Sequence, residues 1–517
     1  MSSSSNQSKT LLLITRLLML ILFSPTVFAG ARENQIIDKA IEAYGGDALL
    51  KLQSLEFSDN INRYSKWQSG HSLQGPMISY LDKLRIELAI DLVNEQKVFK
   101  RATTRLVGNH GTQKPTVTHR IFADGQGYTV DHALQLFQST KYIHYDNTDL
   151  GISLWLDPLI IRRLHKDRKN TQWTDVAYIK GEAHDVLTVK AGSNDEYIVY
   201  LNQQRGYLSR LLRKRGQQTT SYDFFEHHKT QGILWAKQLF VGDSNGPVYQ
   251  TESRNLRFNS VDEEQFKVPM HYKPKPKTQA VDVSRLTLRQ LAKDVYFVGQ
   301  DWAYTLFIDA GDYYISAGAW QMDTQSRNWE KGLALLKQKT GRDKPVKQHL
   351  VTHHHTDHMM ELSDIVKQGA QLVIHPSDIS SVQAHLTQPL SAERFLVTSD
   401  GSSLLEGKVM IFDVPNSHAN HNLVIYLPEH KILFTEDMFG SSLQTAFDSP
   451  SRWPDIDAYH RLEVLEDRIN QLGLDVEHYV SSHHARILSR ADIQEALKVS
   501  RPSRETLLRR LFSDLAG

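Results

Sequence analysis

Residues 353–358 read His353-His354-His355-Thr356-Asp357-His358. Taken as His-x-His-x-Asp-His, the stretch sets His353, His355, Asp357 and His358 within six positions. Neutral imidazole nitrogen and carboxylate oxygen are donors that zinc and similar transition ions accept. Crowded into one turn with no cation among them, these groups would repel one another or go unused. The stretch therefore points to a pair of metal ions and to metal-dependent hydrolysis. The residues before it, Lys347 to Thr352, predict a short buried strand. Those after it, Met359 to Gly369, predict a helix with Met360, Leu362, Ile365 and Val366 on one face. The motif then occupies a strand-to-helix turn, facing the crevice beyond a strand's carboxyl end, where open α/β sheets bind ligands.

Three further ligand-type residues lie downstream in the same setting. A strand over Val409 to Val414 precedes His418, one over Lys431 to Thr435 precedes Asp437, and one over His478 to Ser481 precedes His483. Four strand ends thus each deliver such a residue. Since seven ligands complete two metals, His354, His421 and His484 are expected to be packed or solvated instead. Glu436 is expected to point away from Asp437 if the strand persists, because successive side chains alternate.

With these residues in view, the region from about 285 to 495 resembles the metallo-β-lactamase-fold hydrolase superfamily, beginning at Leu291-Ala292-Lys293-Asp294-Val295-Tyr296-Phe297-Val298-Gly299. The family pattern is HxHxDH, then a single His, an acidic residue and a last His. The resemblance implies an αβ/βα sandwich in which His353, His355 and His418 hold one metal. Asp357, His358 and His483 would hold the second, and Asp437 would bridge both. It implies two divalent ions, zinc first with iron or manganese as alternatives. A metal-bridging hydroxide would attack a carbonyl, with Asp357 helping to orient or deprotonate the water. Dedicated β-lactamases of the fold carry Cys or a non-bridging residue where Asp437 stands, whereas a carboxylate is typical of its lactonases and thioesterases. Two positions depart from the pattern. Ser316-Ala317-Gly318 replaces an Asp before the Gly of an early strand, and Met360-Glu361 replaces a Gly pair after the motif.

The 517 residues are too many for one ordinary domain. Sixty basic residues nearly balance fifty-nine acidic ones, so nothing suggests a nucleic-acid partner. Cysteine is absent, which excludes disulfides and thiolate ligands. Residues 1–29 predict a cleaved signal peptide: Lys9 and Arg16 supply charge, Leu17 to Phe23 the apolar run, and Val27-Phe28-Ala29 the cleavage site. An uncleaved anchor over Leu11 to Phe28 is the alternative. The expected location is periplasmic or secreted, with no membrane span after cleavage.

Residues 30–271 predict a β-rich domain. IIDKAIEAY and ALLKLQ flank the turn Gly45-Gly46, and alternating strands run from about Leu55 to Phe266, forming a mostly antiparallel sheet with one wet face. Arg210 to Arg215 is expected at a solvated sheet edge and His165 to Lys169 in a surface loop. Ala43-Tyr44-Gly45-Gly46 and the ending Phe266-Lys267-Val268-Pro269 resemble periplasmic domains of the lipoprotein-sorting type, which implies a curved sheet with an apolar hollow for acyl chains. A linker over 272–279 and a hydrolase domain over 280–517, ending in a helical tail, complete an α+β two-domain chain. The expected activity is hydrolysis of a small ester, lactone, thioester or amide, with or without an apolar tail. A lipid- or ligand-binding carrier with a vestigial metal domain, and a mononuclear iron enzyme like the sulfur dioxygenases, are the alternatives.

Overall fold

A computed structural model of the chain describes residues 25–67, 78–105, 116–191, 195–244, 246–276, 282–301, 303–318, 328–416, 418–439, 456–498 and 502–512. The expected signal peptide lies outside the described residues as far as residue 24; a helix, Pro25–Ala43, begins within its last positions. Among the described residues no helix is long and apolar enough to cross a membrane.

Alternating sequence from Ser54 onward forms a single 14-stranded sheet. Its edges are Lys273–Pro274 and Thr171–Ile179. Neighbouring strands are antiparallel except where Lys273–Pro274 runs parallel to Leu136–Thr140. The expected linker therefore starts on the sheet, and its first residue, Tyr272, is buried. Period-2 alternation gives the sheet two different faces. On one, Leu55, Phe57, Leu88, Val199 and Trp235 pack against Ile37, Ile41 and Tyr44 of the helix Pro25–Ala43 and against Ile160 and Leu164 of the helix Asp157–Lys166. The chain's own helices thus occupy the apolar face, leaving a small recess lined by Leu154, Ile160, Leu164, Val189, Val199 and Leu211.

Two expectations fail here. Leu208–Arg215 is an inner strand, flanked on both sides by Asp195–Asn202 and Gln218–Thr230, rather than a sheet edge. Its arginines are accommodated because Arg213 meets Asp195 at 2.8 Å and Arg210 meets Asp223 at 2.5 Å, while Leu208 and Leu211 face the core. His165 and Lys166 end the helix Asp157–Lys166 instead of lying in a loop, their basic side chains suiting a helix carboxyl end.

The second half forms a four-layer αβ/βα sandwich. A seven-stranded sheet runs in the order Thr287–Ala292, Val295–Gln300, Ala303–Asp309, Tyr314–Ala317, Val346–Val351, Gln371–Ile374, Phe395–Val397. A six-stranded sheet runs Ser402–Leu404, Val409–Asp413, Leu423–Leu427, Ile432–Phe434, His478–Val480, Leu488–Ser489. The sheets face each other through Phe297, Leu306, Leu350, Ile411, Ile425 and Phe434. Helices Asn328–Thr340 and Leu362–Lys367 cover the first sheet, and Ile456–Leu472 and Arg490–Lys498 the second. Strands such as Leu423–Leu427, buried at every position, read as continuous apolar runs because both faces are covered. The last described helix, Arg504–Leu511, returns to the 14-stranded sheet, where Leu511 and Phe512 pack on Ala102.

Candidate metal centre

The strand Val346–Val351 lies parallel between Tyr314–Ala317 and Gln371–Ile374, so its carboxyl end opens at the crevice. The Thr352 carbonyl accepts from Leu423 N at 2.8 Å, tying the two sheets together just before the motif. His355 keeps extended backbone, and a short 3-10 turn follows over Thr356–His358. Extended backbone puts His353 and His355 on one side and His354 on the other, where His354 is buried 3.7 Å from Asp378. The helix after the motif is shorter than expected, spanning Leu362–Lys367, because Met359 closes the 3-10 turn, its N–H donating to the Thr356 carbonyl at 3.2 Å.

The seven residues selected from the sequence come together as two overlapping groups: His353, His355, His418 and Asp437, and Asp357, His358, Asp437 and His483. Within each group the donor atoms lie no more than 4.8 Å apart. His353 Nε2 and His418 Nε2 face each other at 3.1 Å. Asp437 stands between the groups: its Oδ2 lies 2.7 Å from His418 Nε2 and 3.3 Å from His358 Nε2, and its Oδ1 lies 3.2 Å from His483 Nε2. Asp357 Oδ2 approaches His358 at 3.6 Å and His483 at 3.7 Å, and its side chain remains 26% exposed, which leaves it reachable from the crevice.

Asp437 is held from behind by its backbone. Arg461 Nη1, from the helix Ile456–Leu472, donates to its carbonyl at 2.5 Å. His418 is fixed by its own N–H, which donates to Asn416 Oδ1 at 2.7 Å. Glu436 corrects the sequence reading. The strand stops at Phe434, and Glu436 adopts φ 50°, so alternation breaks and the side chain turns to the site. Its Oε1 accepts from His358 Nδ1 at 2.6 Å, with both side chains almost fully buried. A carboxylate on Nδ1 fixes the tautomer and leaves Nε2 with its lone pair for a cation. The signal available in the sequence was the adjacent Glu436-Asp437 pair, which a regular strand could not aim at one place.

Burial pushes His353 and His355 well below the ordinary histidine range, and neighbouring imidazoles push them further, so both are neutral, the form that ligates. Burial would lower His358 too, but the Glu436 and Asp357 carboxylates outweigh it and raise it well above the usual value. Burial would raise Asp437, but His418 and His483 hold it well below the carboxylate range. Imidazoles and carboxylates of this number, aimed at common points, fit divalent transition ions in both groups, a bound cation taking the place of the proton that the carboxylates hold on His358.

The first departure from the family pattern has a local explanation. Ser316 Oγ bonds His349 Nδ1 at 2.8 Å inside the core, and burial pushes His349 down to about 3, so an uncharged pair fills that position. Gly318 retains its role: with φ +108°, an added Cβ would lie 2.7 Å from the Tyr304 carbonyl oxygen. Glu361 is buried, 4% exposed, where burial raises its carboxyl to about 7 and Asp364 adds repulsion. His484 is buried and accepts from Arg486 N at 3.0 Å, the packed role expected of it. His421 lies outside the seven-residue cluster, against Asp413 and His375.

Residues 289–483 match the family model of the metallo-beta-lactamase superfamily. That segment carries the superfamily's fold, preceded in this chain by a large β domain of its own. Among solved structures, a metallo-beta-lactamase from Hirschia baltica is 19% identical at TM-score 0.33, over 43% of this chain and 100% of that one. One from Pseudomonas aeruginosa in its mono-zinc form is 18% identical at TM-score 0.32, over 42% and 96%. One from Erythrobacter litoralis, with beta mercaptoethanol in its active site, is 19% identical at TM-score 0.32, over 41% and 95%. No curated protein matches the chain.

Proposed function

We propose that this chain is a metal-dependent hydrolase with a dinuclear centre, acting on a small ester, lactone, thioester or amide. His353, His355 and His418 hold one divalent ion, Asp357, His358 and His483 hold the second, and Asp437 is shared. Zinc suits the mixed imidazole and carboxylate set best. The observation that carries the reading is Asp437, whose two oxygens face different groups of imidazoles, Oδ2 toward His418 and His358 and Oδ1 toward His483. A single-iron site would need no such sharing.

Bound divalent ions acidify water and polarise a carbonyl oxygen. The chain's own residues prepare the site for that. Glu436 holds the proton of His358 at Nδ1. Asp357, partly exposed at the crevice, is the carboxylate able to take a proton from water and return it to the leaving group. The buried imidazoles exclude bulk water from the other side. Stripping metal from the purified protein with a chelator should abolish turnover on a panel of chromogenic esters, thioesters, lactones and β-lactams, and zinc should restore it. Turnover that persists in the metal-free protein would reject the reading, as would oxygen consumption with one iron per chain.

A further inference from the structure

A second collection of donors lies beside the seven-residue cluster and shares no residue with it. His375 follows the strand Gln371–Ile374 of one sheet, Asp413 ends Val409–Asp413 of the other, and His421 precedes Leu423–Leu427. Each offers a donor atom, and the three atoms lie within 4.8 Å of one another. His421 Nδ1 donates to Asp413 Oδ2 at 2.8 Å, and Asp413 Oδ1 accepts from Asn422 N at 2.9 Å. The Asn422 N–H fixes the carboxylate, and a cation joining Asp413 Oδ2 and His421 Nδ1 would take the place of the proton they share. All three side chains are partly exposed, so a cation has access and water can complete its shell. Burial, with His421 adding to it, pushes His375 below the ordinary histidine range, toward the neutral ligand form.

We propose that His375, Asp413 and His421 form a third cation site, for a divalent transition ion of the zinc or copper(II) kind. Two imidazoles and one carboxylate disfavour calcium and magnesium, which prefer all-oxygen shells. The two rings lie nearly face to face, with centroids 3.5 Å apart at 20°. Rings of the main cluster meet at 4.3 to 5.0 Å. Zinc–nitrogen bonds of about 2.0–2.1 Å require the stacked pair to open, and His421, with its side chain 23% exposed, has room to swing. Asp413 and His421 stand on either side of His418 in sequence, and His375 comes from the opposite sheet. A cation held there pins the segment that presents His418 and staples the sandwich at its open end.

The test is zinc stoichiometry of the full chain by equilibrium dialysis and elemental analysis, for wild type, His375→Ala and Asp413→Asn. The readout is the difference between proteins, so it does not depend on how many ions the main cluster holds. Wild type should bind one equivalent more than either variant, at lower affinity than the tight ions. Its melting temperature should rise when that last equivalent is added, and the rise should be missing in both variants. A difference of zero would overturn the proposal, leaving a stacked histidine pair with a purely structural role. Loss of the tight ions along with the weak one would also overturn it, because these side chains would then act on the main cluster.

Discussion

Glu436 bears on His358 through a single hydrogen bond of 2.6 Å between two buried side chains. Replacing it with Gln keeps an acceptor but removes the negative charge, so His358 becomes a weaker donor to a cation. Glu436→Gln should lower affinity for one metal by about 10–100-fold, the usual effect of removing such a supporting partner, with the fold intact. Competition with a chromophoric chelator measures this, and unchanged affinity would show that Glu436 serves packing alone. The seven principal residues were readable in the sequence because four fall in one hexapeptide and three follow apolar runs. Glu436 was not, because its orientation depends on a positive φ at the strand end, which composition does not announce. The trio of His375, Asp413 and His421 was equally hidden: His375 and Asp413 are 38 positions apart and meet only because two sheets stack.

Among the elements, the strand Tyr314–Ala317 shows how the frame holds the site. It ends at Gly318, where an added Cβ would approach the Tyr304 carbonyl oxygen to 2.7 Å and Phe434 Cζ to 2.9 Å. Phe434 closes the strand that leads to Asp437, so crowding at Gly318 reaches the centre through one ring. Gly318→Ala should cost about 1–3 kcal/mol from the strained backbone alone, and should weaken metal binding as Phe434 shifts. Thermal melting with and without zinc reads both, and a melting curve equal to wild type would refute the packing argument. Strands were the more legible elements, since those from Leu55 onward alternate and those of the sandwich are short apolar runs bounded by turns. His165 and Lys166 read locally as a loop because they are basic, whereas they close the helix Asp157–Lys166, whose apolar stripe matters only against the sheet. Arg210 to Arg215 misled because charge suggested an edge, whereas Asp195 and Asp223 on the adjacent strands neutralise it.

At the scale of the whole molecule, the chain's last described helix is packed on its first sheet. Phe512 is fully buried with the Arg85 guanidinium 4.2 Å from its ring centroid, and Arg510 Nη1 donates to the His132 carbonyl at 2.7 Å. Phe512→Ala should destabilise by about 3–5 kcal/mol, the range for emptying a buried aromatic site. It should leave the metal content unchanged, since the seven-residue cluster lies on other elements. Melting together with elemental analysis checks this, and loss of metal in the variant would mean that the tail supports the centre itself. This return of the tail could not be read from sequence, because Leu511 and Phe512 carry no sign of which sheet receives them.

The most direct measurement is the metal content of Asp437→Ala beside wild type, because every other ligand assignment meets at that carboxylate. The wild-type chain should hold two divalent ions tightly. The variant should lose at least one ion and nearly all turnover, with the circular dichroism of the large sheet unchanged. Two ions retained at wild-type affinity, with normal turnover, would contradict the shared role of Asp437.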